Sequence, residues 1–213
     1  MLNSLDASLW DCQTDGSAIR REFGIAPDTI LLASIGRLNQ QKGGERLLRA
    51  LALIKDQIPD IKLLIVGEND PFDPAGTYTD FLKALASELG LTDQVIFTGY
   101  RSDVKQILAA CDLFAAPSSD EGFGLACLEA MAMQKPVIGL DNGGTPEVVE
   151  QGKSGLLSPL DDIPCLARNL LILITHPELR QEMGLYGRQR AEQYFNPQRM
   201  AKEIEQVYKH VLG

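Results

Sequence analysis

"DLFAAPSSDEGFGLACLEAMAMQKPVIGL", residues 112 to 140, decides the fold. A short apolar run (112–117) leads through a polar turn holding Gly122 and Gly124 into an apolar stretch of helical length (124–134). A second apolar run, "PVIGL" (136–140), follows. A strand, a helix and a second strand in this order form the pattern of a parallel βαβ unit, whose crossover is far longer than a hairpin turn.

The same alternation extends in both directions. Candidate strands are "TILLASIG" (29–36), "IKLLIVG" (61–67), "QVIFTG" (94–99), the two already quoted, and "SGLLS" (154–158). Helical patterns lie near 43–57, 78–89, 103–110, 124–134 and 145–151. This predicts an α/β fold: a Rossmann-like, doubly wound parallel sheet of about six strands with helices on both faces. After residue 160 the strand pattern stops. Three further helices are expected, broken at His176-Pro177 and Asn196-Pro197, since proline suits a first helical turn. The division expected is a linker-like segment over 1–25, the Rossmann-like domain over 26–160, and helices over 161–213 packed on that domain. The chain enters at "LNSLDASLWD" as if from a linker.

Composition narrows the function. The 213 residues are 45% hydrophobic, enough for one sizeable core. The net charge of −9 disfavours nucleic acid and anionic lipid as partners, so any anion site must be local. The four cysteines lack CxxC spacing and only two histidines accompany them, which points to a reducing compartment and no structural zinc. No apolar run reaches the ~18 residues of a spanning segment, and the start lacks a signal-peptide pattern, so a cytoplasmic protein without a transmembrane segment is expected.

Open parallel sheets bind ligands beyond the carboxyl ends of their strands, which makes the residues just after each strand the informative ones. After the first comes "GRLNQQKGG" (36–44), where Gly36 allows a close turn and Arg37 and Lys42 bring two cations to the head of a helix. A cation there opposes the helix dipole unless an anion sits between them, and a phosphate or diphosphate is such an anion. The plainer alternative is that both cations point into water. After the fourth strand, Gly122 and Gly124 leave the first amides of the next helix accessible. Glu121 sits before that helix, and Glu129 lies eight residues on, inside an otherwise apolar run. Carboxylates are seldom buried without a partner.

On a helical rise the two acids are roughly 12 Å apart, suited to the two ends of an extended ligand rather than to a shared metal. A nucleotide sugar, with hydroxyls at both ends and diphosphate between, fits this spacing. Alternatively Glu129 is a helix-edge carboxylate reaching solvent and Glu121 an ordinary acid favoured by the dipole. "GFGLAC" also approximates a G-x-G-x-x-G dinucleotide fingerprint, with Asp141 ending the next strand. Against it, Cys127 replaces the third glycine, and the motif follows the fourth strand rather than the first. The acids of "GENDPFDPAGTYTD" (67–80) read as a surface loop without a calcium pattern, and Ser118 and Ser119 lack a nearby histidine or a G-x-S-x-G elbow.

Together, "GRLNQQKGG", "LLIVGEND", "VIFTGYRSDV", "DLFAAPSSDEGFGLACLEAMAMQKPVI" and "GGTPEVVEQGKSGLL" resemble, in order, the C-terminal domain of family 4 (group 1) glycosyltransferases of the GT-B fold. The resemblance is dense over residues 30–160 and loose beyond. It implies a retaining hexosyltransferase whose C-terminal domain binds a nucleotide-diphosphate sugar as substrate, generally without a bound metal or other cofactor. Arg37 and Lys42, after Gly36, match the cations on the donor diphosphate. Glu121, first acid of the E-x7-E motif, matches the residue contacting the donor sugar and is the catalytic candidate. Gly122, Phe123, Gly124 and Leu125 match the segment whose backbone meets sugar and phosphate, Glu129 matches the ribose-binding acid, and Tyr100 stands in the base region.

With no DxD-like motif, fixed cations and a helix N-terminus are left to stabilise the leaving diphosphate. The N-terminal acceptor-binding domain of such enzymes has no counterpart in these residues, which implies an incomplete enzyme. Two alternatives stand beside this reading: a non-catalytic nucleotide-sugar-binding or regulatory module, and an NAD-binding oxidoreductase domain.

Overall fold

A computed structural model describes residues 4–212 apart from 59 and 74. Six strands form one parallel sheet: β1 (Ile30–Ile35), β2 (Ile61–Val66), β3 (Val95–Gly99), β4 (Leu113–Ala116), β5 (Val137–Leu140) and β6 (Gly155–Ser158). Their order is β3-β2-β1-β4-β5-β6, so the winding reverses between β1 and β4. The doubly wound α/β fold expected from the sequence is therefore the fold observed.

The continuous apolar character of the strands follows from burial on both faces. Leu32, Leu63, Ile65, Leu113 and Ile138 point to one side, where they pack with α2 (Gly44–Ile54), α3 (Thr77–Glu88) and α7 (Ile163–Thr175) through Leu47, Leu51, Leu82, Leu170 and Leu173. Leu31, Ala33, Leu64, Phe114 and Val137 point to the other. They meet α4 (Val104–Ala110), α5 (Leu125–Ala132) and α8 (Pro177–Tyr194) through Ile107, Leu128, Met131 and Ala191. Each fully buried leucine contributes about 1.5–3 kcal/mol, so a one-residue slip of any inner strand is prohibitive.

The opening segment, read as linker-like, is not extended away from the domain. Its helix α1 (Ser17–Glu22) buries Ile19, and a Cβ at Gly16 would lie 2.3 Å from the Ala110 nitrogen at the end of α4. Arg20 donates to the carbonyls of Ala110 and Thr29 at 2.9 Å and pairs with Asp112 at 2.8 Å. The Leu5 N–H donates to the Phe195 carbonyl at 2.7 Å.

The final helices begin where the prolines place them. α7 and α8 join the two faces, whereas α9 (Pro197–Leu212) departs from the expected packing. None of its described side chains is buried, and Val207, Tyr208 and Val211 are at least half exposed. Among the described residues no helix is long and apolar enough to cross a membrane.

Candidate functional site

The site forms where the winding reverses, at the carboxyl ends of β1 and β4. After β1 the chain turns through a short 3-10 segment, Gln40–Lys42, capped by Asn39, whose Oδ1 accepts the Lys42 N–H at 3.0 Å. Asn39 Nδ2 in turn donates to Asp70 Oδ2 at 2.6 Å. Gly43 then adopts a left-handed conformation (φ 74°) as the cap of α2, the region where glycine carries no Cβ penalty. The Lys42 stem folds back over Gly36: a Cβ there would sit 3.6 Å from Lys42 Cδ.

The loop after β4 comes to meet this turn. Ser119 N–H donates to the Gln41 carbonyl at 2.8 Å, and Lys42 Nζ lies 2.8 Å from Glu121 Oε2. The other Glu121 oxygen, Oε1, accepts the Gly124 N–H at 3.2 Å. Gly124 (φ 95°) caps α5, so one carboxylate bridges a lysine and a helix N-terminus. From behind, the Gly144 N–H donates to the Glu121 carbonyl at 2.7 Å, and a Cβ on Gly143 or Gly144 would run into residues 121 and 122 at 2.6 Å.

A cavity of about 40 Å³ lies here, lined among others by Gly36, Arg37, Lys42, Ser118, Glu121 and Gly124. The Ser118 hydroxyl has no hydrogen-bond partner among the described residues, although Ser118 is 1% exposed. Tyr78, also in the lining, likewise has an unpartnered buried hydroxyl. Arg37 is exposed and makes no hydrogen bond or ion pair to a described residue.

The remaining candidates do not line this cavity. Phe123 packs edge-on against Phe195, with ring centroids 5.9 Å apart, so its side chain belongs to the core and only its backbone is free for a ligand. Gly122 and Leu125 are exposed at the head of α5, and Tyr100, just past β3, is 69% exposed. The Glu129 carboxyl makes no hydrogen bond to a described residue, and burial pushes it up to about 7. Because α5 starts at Leu125, Glu129 is about one turn along the helix; the rest of its separation from Glu121 is loop, not the helical rise expected.

Sequence reading missed Asn39 as the brace of the cationic turn, the unpartnered Ser118 and Tyr78 hydroxyls, and the role of Gly143 and Gly144 in closing on residue 121. The glycine doublets were the available signal. The acidic loop after β2 is the surface loop expected, and its Asp70 and Asp73 are taken up in local hydrogen bonds. The Asn39 amide holds the Asp70 carboxyl below its ordinary value, and the Tyr78 N–H and Thr77 hydroxyl do the same for Asp73 at the start of α3. The G-x-G stretch follows β4, not the first strand, so the turn that a dinucleotide fingerprint would occupy holds Arg37 and Lys42 instead.

Similarity to known proteins agrees with this geometry. Residues 15–190 match the family model "Glycosyl transferases group 1". The N-acetyl-alpha-D-glucosaminyl L-malate synthase of Bacillus anthracis is 31% identical over 198 residues, 93% of this chain and 50% of that protein. The chain spans about half the length of the curated relatives it matches. Anabaena Alr3699/HepE, solved in complex with UDP and glucose, superposes with a TM-score of 0.87 at 29% identity, over 97% of this chain and 55% of that one. The C-terminal domain of a group 1 glycosyltransferase (LpcC) from Francisella tularensis shares the fold at 24% identity, with a TM-score of 0.80 over 91% of this chain and 99% of that one. The chain belongs to the group 1 glycosyltransferases and corresponds to the C-terminal, Rossmann-like domain of their GT-B fold.

Proposed function

We propose that the chain binds a nucleoside diphosphate sugar and is the donor half of a retaining hexosyltransferase, whose acceptor is held by an N-terminal domain. The observation that carries this reading is the convergence of Lys42, Glu121 and the Gly124 N–H on one cavity at the switch point, with Arg37 on its rim. A diphosphate fits a site made of two cations and an open helix N-terminus. Hydroxyls of the sugar fit Glu121, and those of the ribose fit Glu129, whose half-buried carboxyl has no partner among the described residues.

Each role follows from charge. As the bond from sugar to diphosphate breaks, negative charge grows on the leaving oxygen; Lys42 and the α5 amides are held in place to meet it, and Arg37 reaches it from the rim. In a transferase assembled with its acceptor domain, Lys42→Ala is expected to lower the transfer rate ~10²- to 10³-fold, as for loss of one oriented donor. The backbone of residues 122–125 approaches the ligand, and Tyr100 flanks the base.

Calorimetry of the folded chain with UDP, GDP, ADP and their sugars tests the reading. Binding of at least one set supports it, and no heat from any at millimolar concentration overturns it. Titration with NADH separates it from the oxidoreductase alternative, which requires binding at Gly122 and Gly124.

A further inference from the structure

We propose that the Glu121 carboxylate occupies the anion seat between Lys42 and the α5 N-terminus, so that a diphosphate enters by exchange, and the displaced carboxylate is satisfied only when the ligand also carries a sugar. The proposal rests on the reading above for the identity of the ligand, but the seat itself is defined by the contacts. Glu121 Oε2 takes Lys42 at 2.8 Å and Oε1 takes the Gly124 N–H at 3.2 Å, so one side chain neutralises two of the three positive groups, with Arg37 the third, that the diphosphate site offers. Its own side chain is 17% exposed and that of Lys42 is 36% exposed, a partly shielded pair in which the attraction outweighs that of an open surface contact.

The exchange needs little movement. The Glu121 backbone is pinned by the Gly144 N–H at 2.7 Å, and the residue lies in a loop before the helix, so rotation of the side chain alone clears the seat. Once cleared, the carboxylate has lost a lysine and an amide and needs new donors. Sugar hydroxyls supply them; a nucleoside diphosphate without sugar does not. The arrangement therefore favours donor over spent nucleotide, and it does so through the cost of leaving one carboxylate unsatisfied.

Asp120 provides the internal control. It is exposed, carries the same charge one residue away, and accepts a hydrogen bond from Gln41 Nε2 at 3.4 Å, with no ion pair to Lys42. Pyrophosphate provides the probe, because it has the diphosphate's charge with neither base nor sugar. Calorimetry at fixed ionic strength is expected to show Glu121→Gln binding pyrophosphate about fivefold more tightly than the native chain. Asp120→Asn is expected to stay within about twofold of it. Equal or weaker pyrophosphate binding by Glu121→Gln, the same gain in Asp120→Asn, or no pyrophosphate binding by either protein overturns the exchange. If the pyrophosphate gain is seen while UDP, GDP and ADP and their sugars all fail to bind, the nucleotide-sugar reading fails and the exchange stands. If nucleotides bind but the gain is absent, the reverse holds.

Discussion

A Cβ on Gly43 would lie 1.9 Å from the Pro117 carbonyl oxygen, so the turn carrying Lys42 meets the chain leaving β4 backbone to backbone. This contact holds the cationic turn against the Glu121 loop. Gly43 is also left-handed, at φ 74°, so a side chain there is both strained and obstructed. Gly43→Ala is expected to lower stability by about 1–3 kcal/mol and to weaken anion binding together with it. Gly44→Ala is the contrast. Its Cβ meets the end of the Leu82 side chain at 2.9 Å, which yields more readily than backbone. Urea unfolding of the two variants should rank Gly43→Ala well below Gly44→Ala; the reverse order contradicts the close approach.

Two buried serines should respond oppositely to alanine. The Ser158 hydroxyl accepts Asn169 Nδ2 at 2.9 Å in a fully buried pair, so Ser158→Ala is expected to cost about 1 kcal/mol. The Ser118 hydroxyl has no partner among the described residues, and removing a buried unpaired hydroxyl costs nothing and relieves desolvation. Ser118→Ala should therefore be at least as stable as the native chain in the same denaturant series. A loss there equal to that of Ser158→Ala would reveal a partner.

These contrasts also show what the sequence could and could not tell. The six strands were legible because both sheet faces are covered, so each strand is a continuous apolar run flanked by turn residues. The helix starts at Pro177 and Pro197 were legible because proline acts locally. Long-range contacts were not. Lys42 and Glu121 are 79 positions apart, and nothing in either stretch says that the two side chains pair rather than both waiting for ligand. The packing of residues 4–25 depends on Ala110, Asp112 and Phe195, far along the chain, while their local pattern is weak. The spacing of Glu121 and Glu129 was misjudged because a helical rise was applied across residues 121–124, which are loop; α5 itself starts at Leu125, one residue from the start read in the sequence.

Glu129 gives the pH dependence. Burial raises its carboxyl from the ordinary 4.5 to about 7, so the folded chain holds this proton more tightly than the unfolded chain does. The sign follows from linkage: below about pH 4.5 the residue is protonated in both states and burial is harmless. As pH rises from there through 7 the folded state is progressively penalised. Glu129→Gln, uncharged throughout, should match the native chain near pH 4.5 and exceed it in stability at pH 8. Urea midpoints of both proteins at the two pH values check this, and a gap that narrows with rising pH contradicts it. If the carboxylate also accepts ribose hydroxyls, the same substitution should weaken nucleotide binding while it stabilises the fold.

The last helix should be dispensable for stability in a way that its predecessor is not. α9 buries none of its described side chains, so removal of residues 197–213 takes little surface out of the core. The melting temperature is expected to stay within about 2 °C, since 1 kcal/mol corresponds to ~2–4 °C at this chain length. Cutting one residue before Phe195 is different. That side chain is 1% exposed, packs on Phe123, and its carbonyl accepts the Leu5 N–H at 2.7 Å. Loss of a buried phenylalanine costs about 3–5 kcal/mol, which is ~6 °C or more here. Trp10, the only tryptophan, reports on this directly, because its carbonyl accepts Arg188 of α8 at 2.5 Å. Its fluorescence transition should be unchanged by the cut after Asn196 and shifted sharply downward by the cut after Tyr194. A large drop from the first cut would mean that α9 packs on the domain in solution.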